Sequence, residues 1–155
     1  ETNITVNGED VSEEIRSFDV NSNVSEISTI ESVRKILVKK QQEMGRDGGV
    51  VMEGRDITTV VFPNADVKIF LTAGIDERAK RRSKEFSEKG SEVPIDKVKE
   101  NLKNRDFIDS NREASPLTKA PDSIEVDTSN TTIEEQVELI LNEIKNIADK
   151  KGIGI

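Results

Sequence analysis

Gly54-Arg55-Asp56 ends the apolar run Gly49-Val50-Val51-Met52 in a pair of opposite charges, and Arg105, Asp109 and Arg112 follow downstream at spacings of four and three. On a helix those spacings share one face. A planar guanidinium fork suits a phosphate, and a carboxylate suits an amino or hydroxyl donor. A second basic group, Arg78-Ala79-Lys80-Arg81-Arg82, lies between them. Most of the arginines fall in these groups or at Arg34, while the lysines are spread along predicted helices as solvated charge. The chain has no histidine and no cysteine, which excludes Ser-His-Asp and Cys-His catalysis, His- or Cys-ligated zinc and any disulfide framework. Carboxylates, arginines and lysines remain, and phosphoryl transfer needs little else. For an isolated Gly-Arg-Asp, a loop with a local ion pair is the commoner arrangement, but here the motif does not stand alone.

The secondary structure that would hold these groups in place can be read from pattern. Residues 50–52, 67–71 and 124–126 are short β-branched runs separated by helical stretches, the pattern of a parallel α/β sheet. The run before Gly54 reads as a buried strand that delivers Arg55 and Asp56 to a sheet edge, where open α/β sheets bind ligands. Residues 2–6 alternate like a strand and meet Asn7-Gly8, a hairpin turn signal, after which Ser12-Glu13-Glu14 starts a short helix. Residues 19–28 read as helix, and Ile30, Val33, Ile36, Leu37 and Met44 give the next segment an apolar face of helical period. A helix over 76–89, a glycine-bounded loop at 90–94 and a returning helix over 95–107 form a hairpin. Thr132-Ile133-Glu134-Glu135 resembles a capping box, and Ile133, Val137, Ile140, Leu141 and Ile144 form the packing stripe of a last, structural helix.

With 155 residues, 33% of them hydrophobic, the chain can bury one core. Its net charge of −8, from 31 acidic and 23 basic residues, sets up a field that repels nucleic-acid polymers and acidic membranes, so any anion site must be local. No apolar run approaches the ~20 residues of a membrane span and no targeting segment opens the chain, so a cytoplasmic location is expected.

Taken in order, Ser25-Glu26-Ile27-Ser28, Ser32-Val33-Arg34-Lys35-Ile36-Leu37-Val38-Lys39-Lys40-Gln41, Gly54-Arg55-Asp56, the Arg78 to Arg82 group and the stretch from Arg105 to Leu117 resemble bacterial-type cytidylate kinase over about residues 6–147. The resemblance implies a three-layer, parallel-sheet α/β fold of the P-loop nucleoside monophosphate kinase kind. Residues 1–28 would belong to the insertion that closes over CMP, and residues 29–155 to the core kinase domain with a lid at about 82–95. It implies transfer of the γ-phosphoryl group of ATP, with Mg²⁺, to CMP or dCMP, giving CDP or dCDP. Ser25, Arg34 and Asp56 resemble the contacts to cytosine, and Asp109, with Arg105 beside it, the contact to the ribose hydroxyl. Arg55 and Arg112 resemble clamps on the CMP phosphate. Arg78, Arg81 and Arg82 resemble lid residues facing the ATP phosphates, Arg81 first among them, so Arg81, Arg55 and Arg112 are the candidate catalytic set. No residue resembles a metal ligand.

Two departures accompany the resemblance. Nothing in the chain fits G-x-x-x-x-G-K-[ST], and it begins with Glu1, so it is expected to be an N-terminally truncated, C-terminal two-thirds of such a kinase. The central first strand and phosphate loop would then lie outside it, and the chain would be inactive alone. Ile153-Gly154-Ile155 could substitute for the strand, although a short tail more often frays. After Gly-Arg-Asp-Ile the family usually has Gly-Thr, whereas this chain has Thr58-Thr59. A monomer is expected when the kinase is complete. Two further readings stay open, a CMP-binding fragment without catalysis and an acidic interaction domain whose arginines serve only ion pairs. In the latter the lid arginines pair with Glu77, Glu85 and Glu88, Asp109 salt-bridges its own helix, and Ser25 is a plain helix hydroxyl.

Overall fold

The structure, a computed structural model, describes residues 3–152. It begins with a two-residue hairpin, β1 (Thr5–Val6) against β2 (Glu9–Asp10), turning at Asn7 and Gly8. Both turn residues have positive φ, 53° and 89°, the twist that a two-residue hairpin loop requires. A 3₁₀ turn, Glu14–Arg16, leads to α1 (Phe18–Ile27), whose start is set by Ser17, its hydroxyl accepting from the Val20 amide at 3.3 Å. α2 (Glu31–Met44) comes next.

The expected strand at residues 50–52 does not form. Those residues take part in no ladder, and Val51 is fully exposed. A strand exists through its ladder, and among the described residues none lies alongside to supply one. Arg55 and Asp56 therefore do not leave a strand end. They are held instead by the adjoining π-helical turn, Ile57–Val61. Val61 and Ile57 are buried, and the Gln42 side-chain amide of α2 donates to the Val61 carbonyl at 3.2 Å.

The sheet is the parallel pair β3 (Ile69–Thr72) and β4 (Ile124–Asp127), registered Ile69 to Ile124 through Thr72 to Asp127. Lys68, buried, anchors its entry by donating to both carboxylate oxygens of Asp122, at 3.0 and 2.7 Å, and to the Pro63 carbonyl. This is α/β architecture with two parallel strands in place of the three expected.

Between the strands, α3 (Ile75–Glu88) and α4 (Ile95–Asn111) form the predicted hairpin, and α1 packs on α4. α3 stops at Gly90, φ 76°, where the Ser91 amide reaches back to the Phe86 carbonyl (2.9 Å) and the Gly90 amide to Ser87 (3.0 Å). This is a Schellman closure, which glycine adopts without a Cβ penalty. Ala79, Phe86 and Val98 are the buried apolar residues of the hairpin, and Phe18 meets Phe86 edge to face at 5.7 Å.

The last helix, α5 (Ile133–Lys151), has the predicted capping box. The Glu135 amide donates to Thr132 Oγ1 (3.2 Å) while the Thr132 amide donates to Glu135 Oε2 (2.8 Å). Its packing stripe is only partly covered. Ile140 and Ile144 are half-buried and Ala148 buried, but Ile133, Val137 and Leu141 are exposed. The substitution considered for Ile153-Gly154-Ile155 lies outside the described residues. Among the helices described, none is long and apolar enough to cross a membrane.

Candidate functional site

α1, α2, the π turn and α4 converge on one cluster of charges. From α4 comes Asp109, almost wholly buried, with Arg105 one turn before it and Arg112 at the helix C-cap. Asp109 Oδ2 accepts from Arg55 Nε at 3.0 Å and has Arg105 Nε at 3.8 Å, while its Oδ1 accepts from Arg112 Nη1 at 3.0 Å. One carboxylate thus gathers three guanidinium groups. Asp56, also buried, accepts from the fourth, Arg34 of α2. Its placement is local: as the residue before the π turn it accepts with its carbonyl from the Val60 amide (2.9 Å) and the Val61 amide (3.2 Å), leaving its side chain for Arg34. Gly54 allows the approach, since a Cβ there would sit 2.8 Å from Ile57 Cγ1. Thr58 is the second residue of the turn and half-buried.

The cluster is over-supplied with donors. Four arginines face two aspartates, which leaves two positive charges in a chain whose net charge is −8. Burial pushes the Arg105 guanidinium below its usual range, with the neighbouring charge of Arg55 next in weight. Burial does the same to Arg112, followed by the charge of Arg34. Both stay protonated near neutral pH, so the repulsion is stored in the site.

Its hydrogen bonding is incomplete in the same place. Among the described residues, the buried side-chain atoms without a partner are Ser25 Oγ, Arg34 Nε, Arg105 Nε and Arg112 Nη2. Each such atom, left dry, costs about 1 to 3 kcal/mol, so each calls for a partner from outside the chain.

The arginines of α3 are arranged otherwise. Arg78 makes a two-pronged pair with Asp106 at 2.6 and 2.9 Å, which raises its pKa. Arg81 donates to Glu77 Oε1 (3.0 Å) and to the carbonyl of Thr128 (2.6 Å), so it faces the end of β4 and not the Asp109 cluster. Arg82 pairs with Glu85 and lies 4.8 Å from the centre of the Phe86 ring. The pairings with Glu77 and Glu85 anticipated for an exposed hairpin do form, whereas Glu88 is met by Lys84 instead.

Comparison with known proteins decides the family. The family model described as cytidylate kinase matches residues 1–146. The chain belongs to the cytidylate kinase family. It is 51% identical over 152 residues to a cytidylate kinase of Oceanobacillus iheyensis, a match covering 97% of this chain and 66% of that protein. It is 48% identical over 142 residues to the cytidylate kinase of Flavobacterium psychrophilum, covering 92% and 63% respectively. It is also 54% identical over 140 residues to a bifunctional pantoate ligase/cytidylate kinase of Prochlorococcus marinus, covering 90% and 28%. The chain therefore spans about two thirds or less of the length of these relatives.

As a member of the cytidylate kinase family, the chain gathers Arg34, Arg55, Asp56, Arg105, Asp109 and Arg112 into one cluster, buries Ser25 on the adjoining α1, and leaves Arg78 and Arg81 in ion pairs of their own. Two contacts at that point had no signal in the sequence. Ser28 Oγ accepts from Arg112 Nη1 at 2.9 Å, and the Ser115 carbonyl accepts from Arg112 Nε at 2.9 Å. Ser115 has φ 54°, a left-handed conformation that non-glycine residues seldom adopt, and it aims that carbonyl at the guanidinium. The first links residues 84 apart in the chain. Spacing rules reach only about one helical turn.

Proposed function

We propose that the Asp109 cluster binds the monophosphate nucleotide CMP or dCMP, and that within the kinase this nucleotide accepts the γ-phosphoryl group of ATP to give CDP or dCDP. The observation that carries the reading is the coincidence, at one point, of unpartnered buried polar atoms with an excess of two positive charges. A nucleoside monophosphate brings about −1.5 to −2 charges on its phosphate and further acceptors on its ribose and base, so it answers the excess charge and the unpartnered groups together. Arg55 and Arg112 clamp that phosphate, and Asp109 and Arg105 meet the ribose. Arg34 donates to the ring acceptors of cytosine, Asp56 accepts from its exocyclic amine, and Ser25 adds a hydroxyl. Uracil, with a carbonyl in place of the amine, would face the Asp56 carboxylate unfavourably.

In phosphoryl transfer the protein's work is positioning and charge stabilisation. Arg55 and Arg112 fix the acceptor oxygen and withdraw charge from it. Residues 1–28 close over the nucleotide and residues 82–95 act as the lid, where Arg78, Arg81 and Arg82 exchange their carboxylate partners for the phosphates of ATP. Mg²⁺ arrives with ATP and supplies further charge neutralisation. The described residues contain no cluster of three or more acidic, His or Cys side chains suited to a metal ion, and no residue is assigned to it. ATP and CMP or dCMP are thus the proposed partners, in a cytoplasmic monomer, with nucleic-acid polymers repelled by the net charge of −8.

Calorimetric titration of the chain with CMP, dCMP, UMP and AMP tests the reading. CMP and dCMP should bind well and AMP poorly; comparable affinities for AMP and CMP would overturn it. A second reading, binding without transfer, is favoured for the 155 residues by themselves, because no G-x-x-x-x-G-K-[ST] occurs among them. Mixed with Mg-ATP and CMP they should form no CDP, and CDP formation abolished by Arg112→Ala would refute that second reading.

A further inference from the structure

We infer that Ser28 is a positioning residue that orients the phosphate clamp and ties it to the base end of the site, an inference that rests on the CMP reading above. Ser28 caps the C-terminus of α1, one turn after Ser25. Its hydroxyl donates to the Ser25 carbonyl at 2.7 Å. A serine hydroxyl has one proton, so with the proton committed there, only lone pairs face Arg112 Nη1, which donates to them at 2.9 Å. The backbone carbonyl of Ser28 has a separate partner, accepting from Arg34 Nη1 at 3.4 Å. One residue thus touches the arginine assigned to the phosphate through its side chain and the arginine assigned to cytosine through its main chain.

The consequence for Arg112 is geometric. Its Nε donates to the Ser115 carbonyl, and Nη1 is divided between Asp109 Oδ1 and Ser28 Oγ. Those three bonds fix the plane of the guanidinium and leave Nη2, which has no partner, as its free corner. Two-pronged recognition of phosphate depends on that plane, because the donors of a guanidinium are rigid relative to one another. Removing the Ser28 hydroxyl leaves an Nη1 hydrogen unpaired and frees the plane to rotate about the remaining bonds. It leaves the Ser28 carbonyl, and with it Arg34, in place.

A structural role and a positioning role therefore separate by ligand. Ser28→Ala and Ser28→Thr are to be compared with the unaltered full chain, with CMP titrated by calorimetry and cytidine, which lacks the phosphate, by NMR chemical shift at millimolar concentration. Ser28→Ala should weaken CMP roughly tenfold, the size expected for one charge-assisted hydrogen bond, while cytidine binds as before. Ser28→Thr, which keeps the hydroxyl, should bind CMP within about threefold of the original, since the lost bond is restored. Unchanged CMP affinity in Ser28→Ala, an equal loss for cytidine, or a threonine variant as weak as the alanine one would each overturn the inference. If the unaltered chain itself binds no CMP, the reading of the site fails and the role of Ser28 falls with it, a result distinguishable from failure in the variants alone.

Discussion

The Asp109 cluster and the α3 arginines use the same residue type to opposite ends. At Asp109, four guanidinium groups share two carboxylates, and buried polar atoms are left without partners. On α3, Arg78, Arg81 and Arg82 each have a carboxylate of their own, and all three are partly exposed. The first region carries more guanidinium donors than its carboxylates can pair, which is what the proposed phosphate site requires. The second must give up existing pairs before it can meet a phosphate. The single-contact pair of Arg82 with Glu85 is the weakest of the three, whereas the two-pronged Arg78–Asp106 pair costs more to open.

The comparison breaks most visibly if its central carboxylate is removed. Asp109→Ala leaves Arg55, Arg105 and Arg112 without their shared counter-charge, and stability should fall by about 3 to 5 kcal/mol in urea denaturation, as for other broken buried pairs. A loss under about 1 kcal/mol would place Asp109 among the exposed pairs and erase the distinction. Next in size is the effect on ligand: Arg55→Ala and Arg112→Ala should each weaken CMP by about 1.5 to 3 kcal/mol in calorimetric titration without ATP. Arg81→Ala should leave CMP affinity nearly unchanged and lower only turnover, measured in a polypeptide that also carries a phosphate loop. Equal CMP losses in all three variants would mean that the two regions are one site.

A finer cut runs inside the first region. Asp56→Asn replaces an acceptor by a mixed group, so discrimination of CMP over UMP should shrink by roughly tenfold in competition titrations, about the worth of one such contact. Retained discrimination would move the base contact elsewhere. The smallest effect is expected on α3: Arg82→Ala should cost less than about 1 kcal/mol by thermal unfolding, because its pair with Glu85 is solvent-exposed and i,i+3. A larger loss would make the stacking on Phe86 structural.

Helices, hairpin and candidate residues were legible in the sequence, because each carries a local signal. Asn7-Gly8, Thr132 with Glu135, and Gly90 set turns and caps through bonds spanning at most five residues. Arg105, Asp109 and Arg112 were readable as one face for the same reason. The failures were non-local. Residues 50–52 have the composition of a buried strand, but a ladder needs a neighbour, and composition cannot say whether one is present. The stripe of α5 has helical period throughout, yet Ile133, Val137 and Leu141 on it stay exposed.

Residue content and order were enough to settle which groups the site could contain: no imidazole or thiol, arginines concentrated at a few positions, and a pattern that places the chain with the cytidylate kinases. How those groups divide was settled by packing in three dimensions. Whether an arginine is satisfied depends on which carboxylate lies within about 3 Å of it, and for Arg55 that partner lies 54 residues away and for Arg34 22. Packing of α1 on α4, and of α2 on the π turn, brought Ser28 to Arg112 and Arg34 to Asp56. No periodicity encodes such a meeting, because it depends on how separate elements pack in space and not on spacing along any one of them.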